Sequence, residues 1–354
     1  MRFCLLLLLT CCALLSPAPV AGQGGAPRAR AATRARAVAR GLSWLRRRQQ
    51  ERGAWSARRR DEDVAVSALA GLALLASGQP GSSPQERAGP RERLASYLLA
   101  NQRRAEPDRG LLVDAGAPLA EPRGLMHGHG FALLYLSLLT GELREPSLAR
   151  AVDGAVRAAV ARSVAAQMDS GSWAYGSAGG RDECSVTAAQ LQALWVAREA
   201  GYAVPEGALR RGAAYLASLQ DQRGVLVYGR GRRLGSAGLT AAGLAALRAA
   251  PAALGPRGRD RALKALRLGL AGERALGDPA RPYFYYAHFY ACQVLVRQGE
   301  ERFEAYFKAV EGRLIRVQGG DGAWSCESFG SVYATAMALI VLQAPRAYLP
   351  IFQP

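Results

Sequence analysis

The chain has 354 residues, half of them hydrophobic, and a formal net charge of +18 carried almost wholly by arginine, since Lys264 and Lys308 are the only lysines. That length and apolar content can bury a large core and exclude a fibrous or wholly disordered polypeptide. The arginines are scattered rather than clustered, so nucleic acid is not an expected partner; an acidic glycan, an acidic protein or another anionic surface suits the charge better.

Residues 1–22 open with Met1-Arg2, continue through an apolar run too short to span a bilayer, and end at the small residues Val20-Ala21-Gly22. This pattern predicts a cleaved signal peptide and an exported, periplasmic or secreted protein. Residues 23–35 are Arg, Ala, Gly and Pro without periodicity and are expected to be a disordered lead. From 36 to 354, apolar runs of helical length recur and strand-like alternation is scarce, so a single all-α domain with no transmembrane segment is predicted. After cleavage the remaining cysteines are Cys184, Cys292 and Cys326. Their odd number and wide spacing imply no disulfide framework, leaving a Cys292–Cys326 pair or small buried hydrophobes.

One unit repeats through this domain: a helix, a glutamine, a glycine turn, a large apolar residue and a second, more apolar helix. The first copy runs through Leu45, Gln49, Gly53 and Trp55 into a helix at 62–77. The second has Tyr97, Gln102, Gly110 and Leu111 before 126–140, and the third Val164, Gln167, Gly171 and Trp173 before 183–199. Tyr215, Gln220, Gly224 and Tyr228 precede 237–249. The fifth copy lacks the glutamine and tryptophan but keeps the helix 284–298. The sixth has Gln318, Gly322 and Trp324 before 331–342. Glycine forces the turn, tryptophan anchors it, and a helix apolar all round must be buried on both sides. Stacked helical hairpins follow. Residues 79–90 and 251–260 read as surface loops. The tail 344–354, with three prolines, is expected to pack across the outside of the last hairpins.

These turns resemble the repeats of the protein prenyltransferase and squalene cyclase group. That resemblance implies an α/α toroid (α6/α6 barrel) of six helical hairpins with a central apolar cavity. A closer similarity is to exported bacterial proteins, often planctomycetal, that carry this repeat without an assigned activity. It rests on His127-Gly128-His129-Gly130-Phe131-Ala132, Ser185-Val186-Thr187, Tyr285-Tyr286-Ala287-His288-Phe289-Tyr290-Ala291 and the ending Tyr348-Leu349-Pro350-Ile351-Phe352-Gln353.

Aligning the more apolar helices places Ser67, Thr187, Thr240, His288 and Thr335 at one level, with Gly130 or Phe131 beside them. Asp63, His127, Glu183, Ser236, Phe284 and Ser331 lie one turn nearer the N-terminus. Residues four apart share a helix face, so both levels are expected to ring the cavity mouth. All three histidines of the chain fall in this region. The ligand-contacting candidates are therefore His127, His129, Glu183, Thr187, Tyr286 and His288. Competing with that view, acids at helix starts serve as caps, and buried tyrosines and histidines serve as packing with satisfied hydrogen bonds.

Three enzymatic readings are open. By the prenyltransferase resemblance, Asp182, Cys184 and His288 imitate a zinc site, although an extra hairpin separates Cys184 from His288. Asp61-Glu62-Asp63-Val64 only partly matches the aspartate motif by which cyclases of this group protonate an alkene, with Asp63 as the acid. A polysaccharide lyase would use His288 with Tyr285 or Tyr286 as base and arginines against a uronate. The leading reading is a monomeric, non-catalytic binding or structural module whose partner is an apolar small molecule, a protein or an acidic glycan.

Overall fold

The structure, a computed structural model, describes residues 25–56, 63–78, 84–117, 124–271 and 276–353. Residues 1–22, expected to be a signal peptide, the acids Asp61 and Glu62 and residues 79–83 of the expected loop lie outside them. Among the described residues the chain is all-helical, with only isolated β-bridges.

Helices alternate between two roles. The outer ones are α1 (Gly25–Arg48), α3 (Pro84–Ala100), α5 (Pro146–Ala165), α7 (Glu206–Ser218), α9 (Gly255–Gly269) and α11 (Glu300–Val317). The inner ones are α2 (Asp63–Ala76), α4 (Leu125–Leu139), α6 (Cys184–Glu199), α8 (Ala237–Ala246), α10 (Pro282–Leu295) and α12 (Gly330–Gln343). Outer helices bury one stripe, such as Phe303, Phe307, Val310 and Leu314 of α11. Inner helices are buried nearly all round, as in α6 and α12. Each inner helix packs on the next, and α12 packs back on α2, so six hairpins close into an α/α toroid.

The repeated glutamine is what fastens one hairpin to the next. Gln167 Nε2 donates to Gly171 O at 3.0 Å within its own turn and to Ala208 O at 2.9 Å on the following outer helix. Its Oε1 accepts from Arg211 Nη2 at 2.7 Å. Gln49 repeats this with Gly53, Pro90 and Arg93, and Gln102 bonds Gly110 and Ala155. Gln318 closes the ring by bonding Ala37 and Arg40 of α1. At Gly171 (φ +86°) a Cβ would lie 2.4 Å from Arg211 O, so both conformation and contact demand glycine. Trp173 then buries its ring and donates from Nε1 to Ser163 O at 2.7 Å; Trp55 and Trp324 do the same to Leu45 and Leu314.

Three expectations need correcting. Residues 25–35, anticipated as a disordered lead, are the opening turns of α1: Arg30 pairs with Glu304 and Glu311, and Arg34 Nη1 lies 3.1 Å from Glu311 Oε1. Alanine and arginine favour helix, and acids on α11 anchor a face that has no apolar periodicity. The loops were drawn too long, since α3 starts at Pro84, while 251–260 holds a 3₁₀ turn and the start of α9. The tail does not run along the outside of the last hairpins. Ser77 O, after α2, accepts from Arg346, while Arg297, after α10, and Arg248, after α8, donate to Ile351 O and Gln353 O. With Leu349, Ile351 and Phe352 buried, the tail crosses the end of the barrel where inner helices finish.

Candidate functional site at the mouth of the inner barrel

At the opposite end, where inner helices begin, the barrel holds a cavity of about 780 Å³. Its wall is mainly apolar and aromatic: Leu69, Phe131, Leu239, Phe284, Tyr333 and Met337. Small residues on adjacent helices, Ala65 on α2 and Gly238 and Ala287 on α8 and α10, leave the space. The mouth is polar, formed by His127, Tyr175, Ser185, Tyr228, Asp278, Arg281 and Tyr283.

His127 lies on this wall, stacked on Phe131 with ring centroids 6.5 Å apart and 5.7 Å from Tyr175. Burial pulls its pKa down to about 4, although a bond to the Ser185 backbone works the other way, so the imidazole is neutral at pH 7. Tyr286 also faces the cavity. Only its ring does so: the hydroxyl has no accessible surface and no hydrogen-bond partner among the described residues. Glu183 stands immediately behind Ser185, only 2% exposed. Its Oε1 accepts from Ser185 Oγ at 3.2 Å and its Oε2 is 3.9 Å from Arg232 Nη1. It precedes α6 without capping it, and burial holds its carboxyl above the usual carboxylate range.

Apart from Phe131, the second expected ring does not face the cavity. Thr187 Oγ1 accepts from Trp173 N at 3.0 Å and donates to Glu183 O at 2.8 Å. Thr240 serves Leu226 N in the same way, Thr335 serves Trp324 N, and Ser67 serves Trp55 N. The residue two places after the turn glycine in each of these hairpins has a buried N–H that needs an acceptor, and a small hydroxyl on the inner helix supplies it. In the second hairpin the acceptor is His129, not Gly130 or Phe131. Its Nδ1 takes Leu112 N at 3.1 Å, and its Nε2 meets Ser163 Oγ at 3.0 Å.

His288 is likewise occupied, with Nδ1 2.7 Å from Tyr306 Oη and Nε2 2.9 Å from Leu276 O. Tyr285 is buried and donates to Ser325 O at 3.3 Å. His288 and Tyr285 therefore do not present a base to a polysaccharide. Asp63 is buried beside Arg52, 2.7 Å away, at the start of α2. Asp182 accepts from Tyr215 Oη at 2.7 Å and Arg230 N at 3.0 Å, organising the next turn. Cys184 is fully buried, with its thiol pushed far up by desolvation. Asp182, Cys184 and His288 do not converge, and among the described residues no group of three or more His, Cys, Asp or Glu side chains is placed to hold a metal. The cysteines Cys184, Cys292 and Cys326 are all free, so the Cys292–Cys326 pair is not formed.

Of the expected mouth residues, His127, Ser236 and Phe284 line the cavity, as does Tyr286. Tyr175, Ser185 and Tyr228 were missed as site residues. The available signal was their position just beyond the turn anchors and inside the Ser185-Val186-Thr187 run.

No protein-family model and no curated protein matches the chain. Solved structures do. A type II terpene cyclase, MstE from Scytonema, in complex with geranylgeranyl dihydroxybenzoate, is 13% identical, with a TM-score of 0.60 over 91% of this chain and 99% of that one. A GH76A α-1,6-mannanase from Salegentibacter is 9% identical, with a TM-score of 0.63 over 89% of this chain and 100% of that one. A protein from Actinoplanes is 18% identical, with a TM-score of 0.58 over 89% and 99%. At these identities the likeness is one of fold. No helix among the described residues is long and apolar enough to cross a membrane.

Proposed function

We propose that this chain is a binding module that holds an elongated, largely apolar small molecule in its inner barrel. The observation that carries the reading is the 780 Å³ cavity, aromatic along its wall and polar at its mouth. That volume falls in the range of roughly 300–1,000 Å³ that engulfs whole small ligands. It equals the share of about 26 liquid waters at ~30 Å³ each, or an apolar ligand of comparable heavy-atom count. The Scytonema cyclase, which shares the fold, was solved with a geranylgeranyl compound, which supports an isoprenoid-sized ligand here. Binding is favoured over catalysis because His129, His288, Asp63 and Asp182 are all spent on holding the hairpins. Residues 1–22 direct export, and the mature chain acts as a monomer because the cavity is built from one ring.

A fluorescence titration with an environment-sensitive naphthylamine tests this. Saturable enhancement at one site per chain is expected, and Ala65→Phe, which projects a ring from the wall, should weaken it at least tenfold. A folded protein that gives no saturable signal, or a variant that binds as well as the parent, would overturn the proposal.

A further inference from the structure

Outer helix α1 carries eight arginines and no acidic residue in its 24 positions. Arg30 and Arg34 turn toward α11, where they pair with Glu304 and Glu311. Arg36, Arg40 and Arg47 take another direction. With 3.6 residues per turn they fall within about 40° of one another, and at 1.5 Å per residue they stand ~6 and ~10 Å apart along the axis. All three are exposed, while Val38, Leu42 and Leu45 bury the opposite side of the helix. What holds these guanidinium groups is neutral. Arg36 Nη2 donates to Thr33 Oγ1 at 3.2 Å, Arg40 Nη2 to Gln318 Oε1 at 2.5 Å, and Arg47 Nη1 to Ser43 Oγ at 2.6 Å. Asp321, on the turn that docks against α1, is committed to Trp44 Nε1 at 2.9 Å and Ala323 N at 3.0 Å. The three side chains are thus oriented on the surface by partners that leave their charge unneutralised.

We infer that the outward face of α1 is a docking strip for an acidic polysaccharide, one whose uronate carboxylates recur along an extended chain. The strip lies on the outside of the toroid and owes nothing to the cavity. A guanidinium has five N–H donors, so each of these keeps donors beyond the one spent on its anchor, in a fork that matches a carboxylate. A single anion would meet one exposed arginine and gain little. A polymer meets Arg36, Arg40 and Arg47 together and releases counterions as it does so. Single-stranded nucleic acid fits less well, because the strip offers no aromatic face for stacking bases; Trp44, the aromatic residue of α1, is buried.

The test is fluorescence anisotropy of a labelled oligouronate, long enough to span the strip, titrated with the protein at several salt concentrations. Two exposed charge contacts together correspond to roughly fivefold in affinity. Each lost contact also lowers the slope of log affinity on log salt by about one. Arg36→Gln combined with Arg47→Gln should therefore weaken binding about fivefold and flatten the slope by about two, with the urea midpoint unchanged. Arg40 stays in place because it clasps Gln318. Arg36→Lys with Arg47→Lys keeps the charge and should hold the parental slope. Arg150→Gln with Lys264→Gln, exposed cations on α5 and α9, removes the same net charge and should cost less than about twofold. Absence of saturable binding by the folded parent, equal losses in the two Gln pairs, a slope that falls as far in the Lys pair as in the α1 Gln pair, or tighter binding of single-stranded DNA of matched length would overturn the assignment.

Discussion

Ring closure turns on Gln318. Its Nε2 donates to Gly322 O and Ala37 O, each at 2.9 Å, and its Oε1 accepts from Arg40 Nη2 at 2.5 Å. Gln318→Ala removes all three bonds and leaves the Ala37 and Gly322 carbonyls short of a donor. At about 1 kcal/mol net per bond, and with Gln318 partly open to solvent, the cost is roughly 2 kcal/mol. Gln220, inside the ring, bonds Gly258 O at 2.8 Å and accepts from Arg261 at 2.9 Å. Gln220→Ala should therefore cost less, about 1 kcal/mol. Urea unfolding followed by tryptophan fluorescence reads both. Hydrogen exchange supplies a second readout, because Gln318→Ala should loosen α1 selectively, whereas Gln220→Ala should not. If Gln318→Ala unfolds at the parental midpoint with α1 equally protected, the glutamine does not hold the ring shut and the reasoning fails.

Other outcomes follow from the same geometry. Gly171→Ala should cost at least about 2 kcal/mol, from a left-handed φ and a Cβ 2.4 Å from Arg211 O. Gly154→Ala, at an exposed site in α5 with no neighbouring atoms, should stabilise by about 0.5–1 kcal/mol; the two melting temperatures must move in opposite directions. His129 and His288 are fully buried with pKa near 4, below the unfolded value, so the native state stays neutral while the unfolded chain takes up protons. Their contribution is complete above about pH 6.5 and is lost as pH falls toward 4, by at most about 2.7 kcal/mol per unit for the pair. Urea midpoints that do not fall between pH 7 and 5 would contradict this. In a chain beginning at residue 23, the free, buried thiols of Cys184, Cys292 and Cys326 should react with a disulfide reagent only after denaturation.

The hairpin repeat was legible because each of its markers answers a backbone requirement that no other residue meets as well. Gln167 reaches two carbonyls, Gly171 takes a left-handed turn against a carbonyl, and Trp173 bonds Ser163 O while filling the gap beneath. The far side of the same logic was not legible. Thr187, Thr240 and Thr335 recur for an equally structural reason, accepting the N–H after each turn, and recurrence alone does not say which way a side chain points. Helical positions four apart differ by about 40° around the axis. That is enough to turn Thr187 or His288 from the axis to the hairpin turn while His127 faces the cavity. The lead 25–35 misled because its helix is held by ion pairs to Glu304 and Glu311, remote in sequence, instead of by an apolar stripe. Tyr286 could be nominated from its tyrosine-rich run, but that its ring faces the cavity while its hydroxyl is buried is visible only in the folded structure.

The most direct measurement is photolabelling of the delipidated protein with a diazirine-bearing sixteen-carbon alcohol, followed by peptide mapping of the adducts. The account predicts adducts within α4, α10 and α12, at or beside Phe131, Tyr286 and Met337, suppressed by excess hexadecanol and diminished in Ala65→Phe. Adducts confined to exposed residues such as Leu234 and Leu268, undiminished by competitor, would show that the barrel does not take up the ligand.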